Sequence, residues 1–355
     1  MGVTIGVIGL GRIDSPCTPR DAPEVAFIAE AATRVPTTAP PGAKRRGTTV
    51  SDTTANNPTA QTIRIAGAPI SWGVCEVPGW GHQIAPERVL TEMRDAGLTA
   101  TEVGPEGFLP ADPNELAATL EKVGLKSVGG FAPVLLHHAQ HDPVPTIQPL
   151  LDAFVASHAE VLVLAAVTGS DGYDSRPELD DEQWKTLLHN LDRLQAAAAE
   201  RGIRAVLHPH VGTMIEQRDE VYRVLEGSTI PLCLDTGHLM IGGTDPLELV
   251  EAHAARITHA HLKDVDASLA ARVQAGELTY TDAVARGMYT PLGTGDVNIE
   301  RVVGQLLDAG FDGWFVLEQD TILDGEPTDA GPITDVIASV AFLNGVVQAR
   351  VSSDR

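Results

Sequence analysis

Eight short apolar runs, each followed by a segment of helical period, recur along residues 62–349, and no other feature restricts the fold as much. IRIAGAPISW (63–72) reads as a buried strand, and RVLTEMRDAGL (88–98) as an amphipathic helix ending at Gly97. The strand signal returns in TATEVG (99–104), KSVGGFAPV (126–134), EVLVLAAV (160–167), IRAVLHPH (203–210), IPLCLDTGH (230–238), THAHLKDV (258–265) and GWFVLEQD (313–320). Helical segments follow them at 113–125, 144–159, 181–202, 220–228, 245–257, 298–310 and 333–349. Strands separated by helices must pair in parallel through right-handed crossovers. Eight such units over roughly 285 residues fit a closed (β/α)8 barrel, with a doubly wound open sheet as the competitor. The expected catalytic domain is therefore 62–347, with 348–355 as a C-terminal tail.

The opening VTIGVIGLGRID imitates a dinucleotide-binding turn and then abandons it. An apolar run (Val3 to Ile8) leads into Gly9 and Gly11, but Asp14 occupies the third small-residue position. Pro16, Pro19 and Pro23 would break the helix that must point its amides at a pyrophosphate, and the carboxylate would repel it. Residues 13–61 are rich in Ala, Pro, Thr and Arg without sustained period, apart from a short helical turn or two within 23–35. The segment 1–61 is expected to be an irregular or disordered extension that binds no nucleotide cofactor.

Charge and cysteine content exclude other classes. A formal net charge of −23 opposes binding to nucleic acid or anionic lipid, and KRR at 44–46 is too short to reverse it. No apolar run approaches the length of a membrane span, and the first one is too short for a secretory signal. Cys17, Cys75 and Cys233 are odd in number and far apart, the pattern of a reducing compartment, so a cytoplasmic protein is expected.

The polar residues favour the barrel over the open sheet, because they gather at the strand ends. His208 and His210 close the fifth strand, Asp235 and His238 the sixth, His259, His261, Lys263 and Asp264 the seventh, and Glu318 the eighth. Side-chain alternation puts His208 and His210 on one face, and His259 and His261 likewise. His208, Asp235, His261 and Glu318 would balance a divalent cation with two carboxylates and two imidazoles, leaving positions open for substrate oxygens. Each residue alone has a plainer role as a rim or core side chain, and Asp-Thr-Gly-His can be a capped turn. The HHAQH cluster (His137, His138, His141) lies in the loop after the third strand, where His137 can reach the mouth.

These residues resemble the xylose-isomerase-like barrels, and within them the myo-inosose dehydratases of inositol catabolism. The resemblance spans roughly 63–340 and rests on APISWG (68–73), TEVGPEGFLP (101–110), HPHVGT (208–213), LDTGH (234–238), HAHLKDV (259–265), GMYTPLGTGDVNI (287–299) and VLEQD (316–320). It implies a divalent metal, commonly Mn²⁺ or Co²⁺, and loss of water from 2-keto-myo-inositol to give a cyclic diketone. Many barrels of the wider superfamily carry Glu as first ligand where this chain has His208, which leaves His208 and His210 both open as the ligand. Small cyclitols or keto-sugars are the implied substrates, and such barrels often pair into homo-oligomers. The segment GVIGLGRI resembles the start of an inositol dehydrogenase, so a truncated or frameshifted upstream reading is expected, with the natural start near Thr48 to Ser51.

Dehydration beside a ketone needs a base for the α-proton, stabilisation of the enolate and an acid for the departing hydroxyl. Lys263, facing the same way as His261, and Glu102, ending the second strand, are the candidate acid or base. His238 would contact substrate hydroxyls or orient Asp235. Trp72 would cover the apolar face of a cyclitol ring, with a core position as its plainer role. Residues 266–290 are longer than a barrel loop needs, the length of a lid, with Gly287, Gly293 and Gly295 permitting closure. The rival readings are an isomerase or epimerase sharing the enediolate, an apurinic-type endonuclease, which the acidic balance opposes, and a non-catalytic sugar-binding barrel.

Overall fold

The computed structural model describes residues 63–353 apart from 171, 172 and 174; the expectation for the extension 1–61 lies outside the described residues. Eight strands close a parallel barrel: β1 (Arg64–Gly67), β2 (Ala100–Glu102), β3 (Lys126–Val134), β4 (Val161–Ala166), β5 (Arg204–Leu207), β6 (Leu232–Asp235), β7 (Ile257–Leu262) and β10 (Trp314–Leu317). β1 pairs with both β2 and β10, which leaves the cylinder without a free edge. The closed barrel replaces the open-sheet competitor. Between β7 and β10 lies a small antiparallel ribbon, β8 (Asp264–Val265) with β9 (Tyr289–Thr290).

The period of 2 along each strand sorts side chains between two cores. Ala66, Ala68, Ala100, Val128, Val161, Val163, Val206, Cys233, Trp314 and Val316 form one apolar cluster. Their partners of opposite parity, such as Leu162, Leu164, Leu207, Leu234 and Phe315, pack with the surrounding helices in the main core. Following the first parity to the last residue of β2 and β6, and one residue past β5 and β10, brings Glu102, Asp235, His208 and Glu318 onto the same inward side. An apolar floor thus carries a polar upper layer.

Helix starts follow local chemistry. Asp112 accepts from the amides of Asn114 and Glu115, and Asp180 with Gln183 forms a capping box before the helix Asp181–Ala199. Gly129 marks an irregularity in β3: at φ +148°, a Cβ there would lie 1.8 Å from the carbonyl oxygen of Val161.

Three sequence expectations are corrected. The sixth strand does not run to His238; it stops at Asp235, whose Oδ1 accepts from the amides of Gly237 and His238 and starts the helix Thr236–Ile241. Segment 266–290 is not a bare loop but two helices, Ala267–Gln274 and Tyr280–Ala285. Gly293 and Gly295 are no free hinges either: their amides donate to Asp264 Oδ2 at 2.8 and 3.0 Å. The last helix, Ile333–Ser353, runs into the expected tail. Among the described residues no helix is long and apolar enough to cross a membrane.

Candidate active site

The carboxyl ends of β2, β5, β6, β7 and β10 bring Glu102, His208, Asp235, His261, Lys263 and Glu318 together, all buried. With Oδ1 of Asp235 held by two amides, Oδ2 is left to face the barrel, 3.1 Å from His208 Nε2 and 2.8 Å from Lys263 Nζ. Lys263 Nζ also contacts Glu318 Oε2 directly. His261 Nε2 lies 3.0 Å from Glu102 Oε1, while its Nδ1 is 3.1 Å from Glu318 Oε2 without hydrogen-bond alignment. Donor atoms of Asp235, His261 and Glu318 all lie within 4.8 Å of one another, the spacing a metal ion needs. His208 makes such groups with Asp235 and His238, and with Cys233 and His261, but does not close on Glu318 as well. The set fits a divalent ion chemically, because His208 Nδ1 and His261 Nδ1 are buried with no hydrogen-bond partner.

His210 and His238 stack with ring centroids 3.8 Å apart. His210 Nδ1 donates to the carbonyl of Val211 at 2.6 Å, and it enters no metal-ligand group among the described residues. His238 Nδ1 accepts from the Val211 amide at 3.5 Å. The neutral tautomers that follow make His210 Nε2 an acceptor and His238 Nε2 a donor, the latter buried with no hydrogen-bond partner.

Burial and charge set the protonation states. Burial, with the neighbouring His208, pushes His210 down to about 3, and burial holds His238 well below the ordinary imidazole value. Burial would lower Lys263, but Asp235, Asp320 and Glu318 overcome it and hold the amine charged, well above its ordinary value. Burial would raise Glu102, yet the charge of His261 and hydrogen bonds from His259 and His261 keep it below the carboxylate range. Glu102 is thus held ionised while it accepts from two imidazoles. Its geometry is that of an orienting partner.

Trp72 is also corrected. It is fully buried in the main core, and its Nε1 donates to Glu92 Oε2 of the helix Pro86–Asp95 at 2.8 Å. The chain leaves β1 through a 3-10 turn, Pro69–Trp72, which breaks strand parity and turns the indole toward the helices. His137 is buried with its ring against His138, centroids 4.5 Å apart.

His259, noted from the sequence at the end of the seventh strand but given no role there, and residues not singled out from the sequence complete the site. His259 donates to Glu102 at 2.9 Å, and Cys233, pushed up to about 11 by burial, lies beside His208 and His261 as a neutral thiol. Asp320, raised to about 6 by burial, stands 3.4 Å from Lys263 Nζ and accepts from the Tyr280 hydroxyl at 2.6 Å. Tyr280 and Tyr289 hydroxyls are 3.0 Å apart. Spacing of two residues, 233 to 235, 259 to 261 and 318 to 320, was the available signal for the first three.

A closed parallel barrel with imidazoles and carboxylates converging at its carboxyl-terminal mouth is the architecture of a barrel enzyme. The chain belongs to the xylose isomerase-like TIM barrel family, whose model matches residues 90–343. It is 29% identical over 310 residues to an inosose dehydratase of Geobacillus kaustophilus (strain HTA426), covering 84% of this chain and 99% of that one. It is 32% identical over 286 residues to the rhizopine catabolism protein MocC of Rhizobium meliloti, covering 77% and 85%. Among solved structures, an L-ribulose 3-epimerase matches with TM-score 0.60 at 16% identity, over 82% of this chain and 97% of that one. An IOLI protein with a bound zinc atom matches with TM-score 0.60 at 12% identity, over 81% and 99%. These two share the fold.

Proposed function

We propose that the chain is a metal-dependent dehydratase, a carbon–oxygen lyase that removes water from 2-keto-myo-inositol in inositol catabolism. The convergence of Asp235, His261 and Glu318 within 4.8 Å carries the reading, and the relatives named inosose dehydratase support it. These three residues, with His208 beside Asp235, would hold a divalent ion, Mn²⁺ or Co²⁺. When bound, such an ion supplies Lewis acidity toward the ketone oxygen and steadies enolate charge.

The remaining work falls to the chain's own side chains. Glu102 holds His261 through Nε2 so that Nδ1 faces Glu318 and Asp235. His238 donates from Nε2 to one substrate hydroxyl, and the neighbouring His210 accepts from another. With a divalent ion held at Asp235 and Glu318, Lys263 would lose part of the negative charge that keeps it protonated, and Nζ could then serve as the base. Nζ takes the α-proton from carbon and returns it to the β-hydroxyl as the C–O bond breaks, and the two groups leave as one water. The ribbon and helices of 264–290 cover this side, with Tyr280 and Tyr289 both buried.

Incubation with 2-keto-myo-inositol and Mn²⁺ or Co²⁺ tests the reading. A new ultraviolet-absorbing diketone, lighter than the substrate by one water, is the expected product. An isomeric ketone of unchanged mass would make the chain an isomerase or epimerase using the same enolate.

A further inference from the structure

His261 Nδ1 faces two carboxylate oxygens across the candidate ion site, Glu318 Oε2 at 3.1 Å and Asp235 Oδ2 at 3.7 Å. Lys263 grips these same two atoms. Its Nζ lies 2.8 Å from Asp235 Oδ2 and contacts Glu318 Oε2. The side chain is fully buried, so solvent screens little of this attraction. On its other flank Asp320 Oδ1 stands 3.4 Å from Nζ, buried and without a hydrogen bond of its own. The second oxygen of Asp320 is fixed by the Tyr280 hydroxyl. Asp320 therefore offers a stationary carboxylate with one acceptor open toward the amine.

From this arrangement we infer that Lys263 is the resident counter-ion of the metal-free site, and that a divalent ion taking Asp235 and Glu318 displaces Nζ onto Asp320. The inference rests on the reading that Asp235, His261 and Glu318 hold such an ion, and adds that lysine and ion bind antagonistically. Two cations drawing on the same pair of buried oxygens repel each other at short range. Without either cation the two buried carboxylates would keep only His208, His261 and backbone amides as partners, and removing one partner of a buried charge destabilises a fold. Lys263 thus keeps the empty site intact and limits how tightly it holds metal. Loading the ion delivers Nζ to a second berth, so the amine is placed for proton transfer only in the metal-bound enzyme.

The test is Mn²⁺ binding to metal-stripped full-length protein, followed by the resonance signal of free Mn²⁺ without substrate. Lys263→Met is expected to bind about tenfold tighter than wild type or better, while Lys263→Arg, which keeps the charge, stays close to wild type. Asp320→Asn, which removes the second berth, is expected to weaken binding, and that loss should vanish in the Lys263→Met/Asp320→Asn double variant. Unchanged or weaker binding by Lys263→Met overturns the inference, as does an Asp320→Asn loss that persists in the double variant. Wild-type protein labelled with ¹⁵N-lysine gives a readout independent of any variant's folding: the Lys263 side-chain resonance must move on saturation with Zn²⁺, and an unmoved resonance overturns the displacement. Failure of every form to bind Mn²⁺ or Zn²⁺ would instead overturn the ion reading beneath it.

Discussion

Glu102 Oε1 lies 3.0 Å from Nε2 of His261, and this contact decides which imidazole nitrogen His261 turns toward Asp235 and Glu318. The same oxygen holds His259 at 2.9 Å, so one carboxylate anchors both rings of β7. Glu102→Gln preserves the shape but removes the charge and one of the acceptors. Metal affinity is expected to fall about 10–100-fold, with turnover falling alongside. Calorimetric titration with Mn²⁺ checks it; unchanged affinity would end the orienting role.

Trp72 belongs to the core. Replacing it with Phe removes the 2.8 Å bond to Glu92 and some packing volume, while Glu92 keeps its pairing with Arg88. A loss of about 1–3 kcal/mol in folding stability is expected, with KM for the ketone unchanged. Denaturant unfolding and steady-state kinetics measure the two effects separately. A raised KM without loss of stability would return the indole to the substrate.

Asp264 fastens the chain segment that follows the helical insertion. Its two oxygens accept from the amides of Val265, Gly293, Gly295 and Val297, each within 2.8 to 3.0 Å. A Cβ on Gly295 would lie 2.3 Å from Asp264 Oδ1, so the glycine is required by the closeness of the carboxylate. Asp264→Ala strips the acceptor from these amides and is expected to cost about 3–5 kcal/mol. Hydrogen exchange should show lost protection at 293–297; protection equal to wild type would contradict this.

Stability of the metal-free protein should fall in mild acid. Burial holds His210 down to about 3 and lowers His208, His238 and His259, so the folded chain keeps these rings neutral where the unfolded chain protonates them. Each such ring costs stability as pH drops below the ordinary value of 6.5, until its folded pKa is reached. Glu318, kept at about 2 by His261 and Lys263 against the pull of burial, adds a further loss below 4.5. Asp320 opposes this: raised to about 6 by burial, its folded form takes up a proton first and gains stability between 6 and 3.8. His261, raised despite burial by Cys233, Glu318 and Glu102, contributes stability that is complete below 6.5 and lost at higher pH. Four depressed imidazoles outweigh these two groups, so Tm should decline from pH 7 to 5, and His210→Phe should flatten the slope. Calorimetry across that range checks the sign; a Tm that rises toward pH 5 contradicts it.

The barrel was legible because strand and helix periods alternate from β1 to the final helix, with the insertion at 264–290 as the departure. The upper polar layer was legible for the same reason: Asp235, His261 and Glu318 each sit where an apolar run ends, on the inward parity. Parity failed at Trp72, where a 3-10 turn replaces the strand after Gly67. It failed again at His238, where Asp235 ends its strand and caps a helix. Tyr280 and Tyr289 were hidden for another reason. They come from an insertion, and the period of an insertion says nothing about which groups it folds onto. Asp320 carried a usable signal, two residues beyond Glu318 on the same face, but its partner Tyr280 lies 40 positions away in the chain.

Water loss is expected to require a single divalent ion held at Asp235, His261 and Glu318. Metal-stripped protein should be titrated with Mn²⁺ while bound metal and diketone formation are followed together. Turnover should rise in step with occupancy, level off near one ion per chain, and be absent in Glu318→Gln at every metal concentration at which that variant remains folded. Full turnover by the stripped protein, or by folded Glu318→Gln, would show that water loss needs no ion at these residues.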